Sequence, residues 1–481
     1  MFQINSEKPL AFKNNYGGIV MKKFAKVLSI TLVAAMLLAG CSSGGTAADS
    51  NAANNASNEA APSVPQDKEV TLKVTFFEAG FGNKWQNWLK TEFEKQYPNV
   101  TVELVGDANL TETLTPMIES GVDTPDVYMA NGSMWEEWGP QGLVMDLTSL
   151  YEEKVPGTDM TLDEYITDVA KDKFYFDLGK DNGGIKKYSV PWSAGPMSVV
   201  YNVNMFEEHG WEYPKTWEEF EALCEEIKSA GIAPLTYPGK FPNYTRPFIR
   251  GWQLQAMGEE KFFGEYKNPT SADIYGDTAV LESFKNFRKL FDKGYIMSGT
   301  TALDHTQVQM EFINNKVAMI LNGYWLENEM SEAWPQGYRI AMAPVPQGGK
   351  VDKPVSFINM PDYMAIYNNT EVPEVAKAFV LFSLSPESCE QFAKLAGGLR
   401  PFNYELSDEV SEFTQTCQDV ITNEDYYQYT DASSNPLMFK SLGNAYLTQI
   451  STGEITPEKA AEDFKNEAAT EYDRVKTDLG L

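Results

Sequence analysis

From residue 70 the chain alternates apolar and polar positions up to Phe77, a period of two that predicts a strand with one buried face. The period then lengthens. Trp85, Trp88, Leu89 and Phe93 fall along one side of a helix that Pro98 ends, and Val100, Val102 and Leu104 return to alternation. A second helix is predicted from about Leu110 to Ser120, followed by a buried strand over 124–129. Strand and helix in alternation predict an α/β lobe with a largely parallel sheet. Its ligands should lie at the carboxyl ends of the strands, where the loops 78–82 and 131–135 fall.

Further along, positions 181–184 join two extended runs as a hairpin turn. Residues 188–202 are β-rich and broken at Pro191 and at Gly195-Pro196, and 317–321 form a buried strand. Helix punctuation is clear in three places. Thr216 with Glu219 makes a capping box, with Gly231 as the stop; Ser385-Pro386 opens a helix that Gly397-Gly398 closes; Thr456-Pro457 opens another.

The amino-terminal 67 residues follow a different logic. Lys22, Lys23 and Lys26 precede an apolar run from Val27 to Gly40, too short to span a bilayer and of the right length for a secretory signal. The run ends in Leu38, Ala39, Gly40 and Cys41, similar to a bacterial lipobox in which Cys41 is lipidated. Residues 1–40 are therefore expected to be a leader and lipoprotein signal peptide, with translation starting at Met21. Residues 41–67, rich in Ser, Ala, Asn and Gly, are expected to be a lipid-anchored flexible tether, spanning roughly 25 to 30 Å.

Composition narrows the function. With 39 basic and 68 acidic residues among 481, the formal charge is −29. Removing residues 1–40 takes away five lysines and Glu7 and leaves −33. Such a surface repels a polyanion, so no nucleic-acid partner is expected. Only His209 and His305 are present, which excludes histidine-rich zinc sites, and no metal or cofactor is expected. Cys224, Cys389 and Cys417 sit on helical apolar stripes as core residues; a Cys389–Cys417 disulfide is the alternative for an exported protein.

An ordered set of segments then stands out: the lipobox; Thr124 to Val127; 188–202, with its tyrosine, proline and Tyr201-Asn202; Pro214 to Phe220; Phe312 to Trp325; and Gly453 to Ala460. Together they resemble family 1 of the extracellular solute-binding proteins, the sugar-binding lipoproteins of ABC importers, across almost all of 68–481. The resemblance implies a periplasmic-binding-protein-like α/β fold, two lobes joined by a hinge of crossing segments. Lobe 1 would be 68–193 with 355–400, and lobe 2 would be 197–352 with 402–481. The crossings would fall near 192–197, Pro354 and Arg400-Pro401. The implied function is capture of a sugar or oligosaccharide by hinge closure and delivery to the membrane permease, without catalysis. The protein would be a monomer on the outer face of the cytoplasmic membrane, touching the membrane only through lipid on Cys41.

A pyranose presents apolar C–H faces and a belt of hydroxyls, so its site needs aromatic rings together with polar donors and acceptors. The candidates are Trp325 with Asn322 and Tyr324 after the 317–321 strand, where the family places a stacking aromatic, and Trp192 at the first crossing. Asn131, Ser133 and Trp135 follow the Pro-Asp-Val strand, and Glu78 follows the first strand. Tyr244 and Arg246 lie in a Pro-rich loop, and Asp362 and Arg400 lie near the other crossings. Some family members have an aromatic where Arg246 falls, which puts the sugar or its binding mode in question. Two other readings remain open at this point. The same fold could take a polyamine, peptide or other non-sugar solute, which the acidity would suit, or the chain could be a surface-anchored glycoside hydrolase, for which no nucleophile elbow or similar motif is visible.

Overall fold

The computed structural model describes residues 64–177, 184–430 and 435–479. The leader 1–40, Cys41, nearly all of the tether 41–67 and positions 181–183 of the expected turn lie outside the described residues.

Among the described residues the strands are β1 (Val70–Phe77), β2 (Val100–Asp107), β3 (Val127–Asn131), β4 (Phe176–Asp177), β5 (Ile185–Lys186), β6 (Val190–Pro191), β7 (Gly195–Asn202), β8 (Ala233–Thr236), β9 (Val317–Gly323), β10 (Ile340–Ala343), β11 (Val355–Asn359), β12 (Asp362–Ile366) and β13 (Tyr427–Tyr429). Two sheets and a small β4–β5 ladder result. The first sheet has the order β2-β1-β3-β12-β6; the second runs β13-β11-β7-β9-β8, with β10 also on β7. In β1 the alternation buries Leu72, Val74 and Phe76 and leaves Thr71 and Lys73 exposed. All seven residues of β9 are buried, as an inner strand covered on both faces requires.

The expected parallel sheet is only half of the first lobe. β1 runs parallel to β2 and β3, but β12 returns antiparallel to β3 and β6. The second sheet is mixed: β7 pairs antiparallel with β9, β10 and β11, while β8–β9 and β11–β13 are parallel. A strand that arrives from the other sheet need not follow the direction set by local strand–helix–strand units.

The chain changes sheet between β6 and β7, and again between β11 and β12. The second change corrects the boundary expected near Pro354. β11 pairs with β7 and β13 in the second sheet, so the crossing falls at Met360-Pro361. A third strand of backbone lies alongside, where Ala194 N donates to Leu399 O at 2.9 Å and Thr167 N to Pro401 O at 2.9 Å.

The helices Lys84–Gln96, Pro373–Ser383 and Pro386–Ala396 contribute Trp85, Leu89, Phe93, Phe379 and Phe392 to the core of the first lobe, which continues onto one face of the second sheet. Trp217–Ser229, Arg246–Met257, Thr278–Asp292 and Pro457–Leu479 pack a separate core on its other face. Local signals set their ends. Thr216 and Glu219 cap reciprocally, the Ser385 side chain accepts from Ser388 N, and Gly397 ends its helix in the left-handed conformation at φ 62°.

Cys224, Cys389 and Cys417 are buried free thiols in the core, as their helical stripes imply, and the alternative Cys389–Cys417 disulfide is not formed. Cys389 sits in the first lobe against Tyr165 and the Leu384 carbonyl, whereas Cys417 belongs to Glu412–Thr422, packed on β7 and β10 of the second sheet. Among the described residues no helix is long and apolar enough to cross a membrane.

Candidate functional site

A cavity of about 660 Å³ opens between the two sheets, within the usual range for small-molecule sites. Its first wall comes from loops at the carboxyl ends of β1 and β3: Phe77, Gly80 and Phe81 from one, Asn131, Gly132, Ser133 and Glu136 from the other, with Lys173 beside them. Asn359, Pro361 and Asp362 from the β11–β12 crossing form part of the lining. The opposite wall is Met197 of β7, the segment Phe241, Asn243, Tyr244 and Arg246, then His305, Trp325, Glu329 and Lys440.

Trp325 is placed by backbone. β9 ends at Gly323, and a Cβ there would lie 2.3 Å from the Trp325 ring, so only glycine lets the indole fold back on its own strand. Tyr244 meets that indole edge-on, with centroids 6.2 Å apart and planes at 84°. Burial among these groups pushes the Tyr244 hydroxyl pKa up, so it stays a protonated donor.

Asp362 opens β12, faces the cavity and is 2% exposed. Ser193, in the first crossing, donates its hydroxyl to this carboxyl, and Tyr324, just after β9, donates to Ser193 Oγ at 2.9 Å. The chain of hydrogen bonds thus ties the β6–β7 and β11–β12 crossings to the end of β9. Burial raises the Asp362 pKa to about 7; Ser193 and the Lys173 ammonium pull the other way without cancelling it. The Lys173 ammonium donates to the Met360 carbonyl, and Glu136 of the first wall pairs with Lys440 of the second. A further link joins the lobes where Asn328 Nδ2 donates to Gly80 O at 2.8 Å. Among the described residues no cluster of three His, Cys, Asp or Glu could hold a metal.

Of the residues singled out from sequence, Asn131, Ser133, Tyr244, Arg246, Trp325 and Asp362 come together around this one cavity. The others lie outside its lining. Glu78 accepts from Asn83 Nδ2 at 2.6 Å and leans toward Gly106. Trp135 is stacked on Phe174 within the first core. Trp192 is fully buried and lies parallel to Trp85, centroids 5.7 Å apart, with Phe81 and Phe392 against it. Asn322 is buried inside β9 and folds back on the Gly323 N–H at 2.8 Å. Tyr324 is buried against Gly195 and supports Ser193. Arg400 is 3% exposed, with its guanidinium 4.8 Å above the Trp85 ring and a hydrogen bond to the Ser383 carbonyl. Its guanidinium also lies over the Phe392 and Phe402 rings, a cation–π packing within the first core.

Sequence reasoning missed Phe77, Phe81, Lys173, Phe241, Asn243, His305, Glu329 and Lys440. Phe241 and Asn243 lay in the same Pro-rich loop as Tyr244, so loop membership could have found them. Nothing local marked Lys173, His305 or Lys440.

Two α/β lobes joined by crossing segments, with a partly aromatic, partly polar cavity between them, define a hinged ligand-binding fold. The family model of bacterial extracellular solute-binding proteins matches residues 88–432, and the chain belongs to that family. Among curated relatives, the multiple sugar-binding protein of Streptococcus mutans is 25% identical over 248 residues, 49% of this chain and 52% of that protein. The melibiose/raffinose/stachyose-binding protein MelE of Bacillus subtilis is 20% identical, covering 72% of this chain and 75% of the other. The chain spans about half the length of the first of these. Among solved structures, the apo form of RafE from Streptococcus pneumoniae superposes with a TM-score of 0.66 at 20% identity, covering 85% of this chain and 100% of that one. A chitin oligosaccharide binding protein gives 0.66 at 17%, covering 84% and 99%. At these identities the likeness establishes the fold.

Proposed function

We propose that the protein is the substrate-binding component of an ABC importer, capturing a sugar or oligosaccharide between its lobes and presenting it to the membrane permease. The observation that carries this reading is the mixed lining of the cavity: the rings of Trp325, Tyr244, Phe77 and Phe81 make one kind of surface, and the polar side chains of Asn131, Ser133, Asp362 and Arg246 make the other. Apolar ring faces and a hydroxyl belt are matched by those two surfaces. In this role Trp325 stacks on a sugar ring, Asp362 and Asn131 accept hydroxyl protons, and Arg246 donates. Ligand touching both walls biases the closed arrangement. The names of the relatives, which include binders of melibiose, raffinose and stachyose, support the same class.

Lobe 1 in this reading is 68–193 with 362–400, and lobe 2 is 197–359 with 402–479, hinged where β6 meets β7 and β11 meets β12. Lipid on Cys41 holds a monomer at the outer face of the membrane. The cationic-solute alternative is weaker at the cavity itself, because Glu136 already pairs with Lys440 and Lys173 and Arg246 also line the wall. Thermal-shift and calorimetric titration against mono- and oligosaccharides, polyamines and short peptides tests this. A saccharide present at 100 times its dissociation constant should add about 2.7 kcal/mol of stability. Response to polyamines or peptides and to no saccharide refutes the sugar reading.

A further inference from the structure

Resting on that reading, we propose that Phe241 and His305 form an outer ring-binding subsite at the mouth of the cleft, so that the ligand is an oligosaccharide of two or more units. Phe241 is unusual for its exposure. Exposed large apolar side chains are few among the described residues, and Phe241, at 39%, is the aromatic one. It lies face to face with His305, centroids 3.9 Å apart and planes at 16°. His305 is 5.0 Å from Tyr244, which in turn is 6.2 Å from Trp325. All four line the cavity. The rings therefore continue in contact from Trp325, next to the end of β9, out to an exposed edge. One sugar ring on Trp325 and Tyr244 would leave the Phe241–His305 pair uncovered.

The outer pair is also held in place. Gly239 brings its loop against the neighbouring backbone so closely that a Cβ would lie 2.1 Å from the Thr300 carbonyl oxygen. Lys240 N donates to Leu303 O at 3.0 Å, Phe241 N to Pro238 O at 2.8 Å, and the Lys240 ammonium approaches Asp304 at 3.7 Å. Asp304 caps the helix that His305 begins, accepting from Gln307 N. Burial lowers the His305 pKa, which favours the neutral ring that stacks on Phe241. A platform fixed by backbone loses little freedom when a ligand covers it.

The test is calorimetry on the full chain with nested probes: galactose, melibiose and raffinose; glucose, maltose and maltotriose; N-acetylglucosamine and diacetylchitobiose. In the series that binds, affinity should rise with length. Phe241→Ala should weaken the di- or trisaccharide about three- to tenfold and leave the monosaccharide unchanged. Phe241→Tyr should restore the wild-type value; Phe241→Leu, which keeps apolar volume without a flat face, should behave like alanine and covers the case in which alanine unfolds. Equal loss at every length, or no loss at any, overturns the subsite while leaving the sugar reading standing. Binding of polyamines with no saccharide binding overturns both.

Discussion

The two walls of the cleft are built from different materials. The first wall takes its polar part from a loop after a strand of the first lobe, Asn131, Gly132, Ser133 and Glu136, with Lys173 beside it. The second carries a run of rings, Trp325, Tyr244, His305 and Phe241, gathered from three separate stretches of chain, with Asn243, Arg246, Glu329 and Lys440 among them. Parallel strands ending in short loops supply backbone and small polar groups at their carboxyl ends. At the end of β9, which pairs with β7 and β8, Gly323 has no side chain and the Trp325 indole lies against it. Between the walls sits the buried chain of Tyr324, Ser193 and Asp362, which joins the β6–β7 and β11–β12 crossings.

The sharpest break of this comparison contrasts two tryptophans. Trp192→Ala, which empties the space between Trp85, Phe81 and Phe392, should cost about 3 to 5 kcal/mol of stability by urea unfolding. Trp325→Ala should leave stability nearly intact and cost about 2 kcal/mol of ligand affinity, roughly thirtyfold, by calorimetry. If the alanine at 325 binds normally, the aromatic wall is not where ligand lies.

Asp362 gives a smaller, pH-dependent effect. Its folded pKa of about 7 lies above the unfolded carboxyl value, near 3.9. Folding takes up a proton between those limits, so the residue's contribution to stability is full below about pH 4 and falls as pH rises to about 7. The slope should not exceed about 1.4 kcal/mol per pH unit. Asp362→Asn should remove that slope from unfolding curves measured at several pH values; an unchanged slope would assign it elsewhere. The smallest effect concerns the rim. Glu136→Gln breaks the pair with Lys440, whose side chains are 23% and 46% exposed, and should change affinity by no more than about 1 kcal/mol. The loss should shrink in high salt, and a salt-independent loss would mean that Glu136 contacts ligand itself.

Much of the site's frame was legible because it is local. The loops after β1 and β3, the strand leading to Trp325 and the Pro-rich loop carrying Tyr244 are each announced by a short pattern of periodicity and turn residues. The side chains that share those positions were not equally legible. Trp135 and Trp325 both follow a buried strand, yet one is stacked on Phe174 and the other lines the cavity. Periodicity marks a large apolar residue as due for burial, and it does not say whether protein or ligand will cover it. Arg400 shows the converse: a charge near a crossing looked available for ligand, but Trp85, Phe392 and Phe402 enclose it.

By itself, the sequence determined the strand–helix alternation, the capped helix ends, the acidity and the segments that carry the family resemblance. Those are properties of neighbours along the chain, set by side-chain size, backbone preference and charge. The tertiary structure alone decided that β11 joins the second sheet before β12 joins the first, that Cys389 and Cys417 stay apart, and that Lys173, Phe241, His305 and Lys440 meet around one cavity. Contacts between residues so distant in sequence depend on how two sheets pack and cross, a choice that no local period encodes.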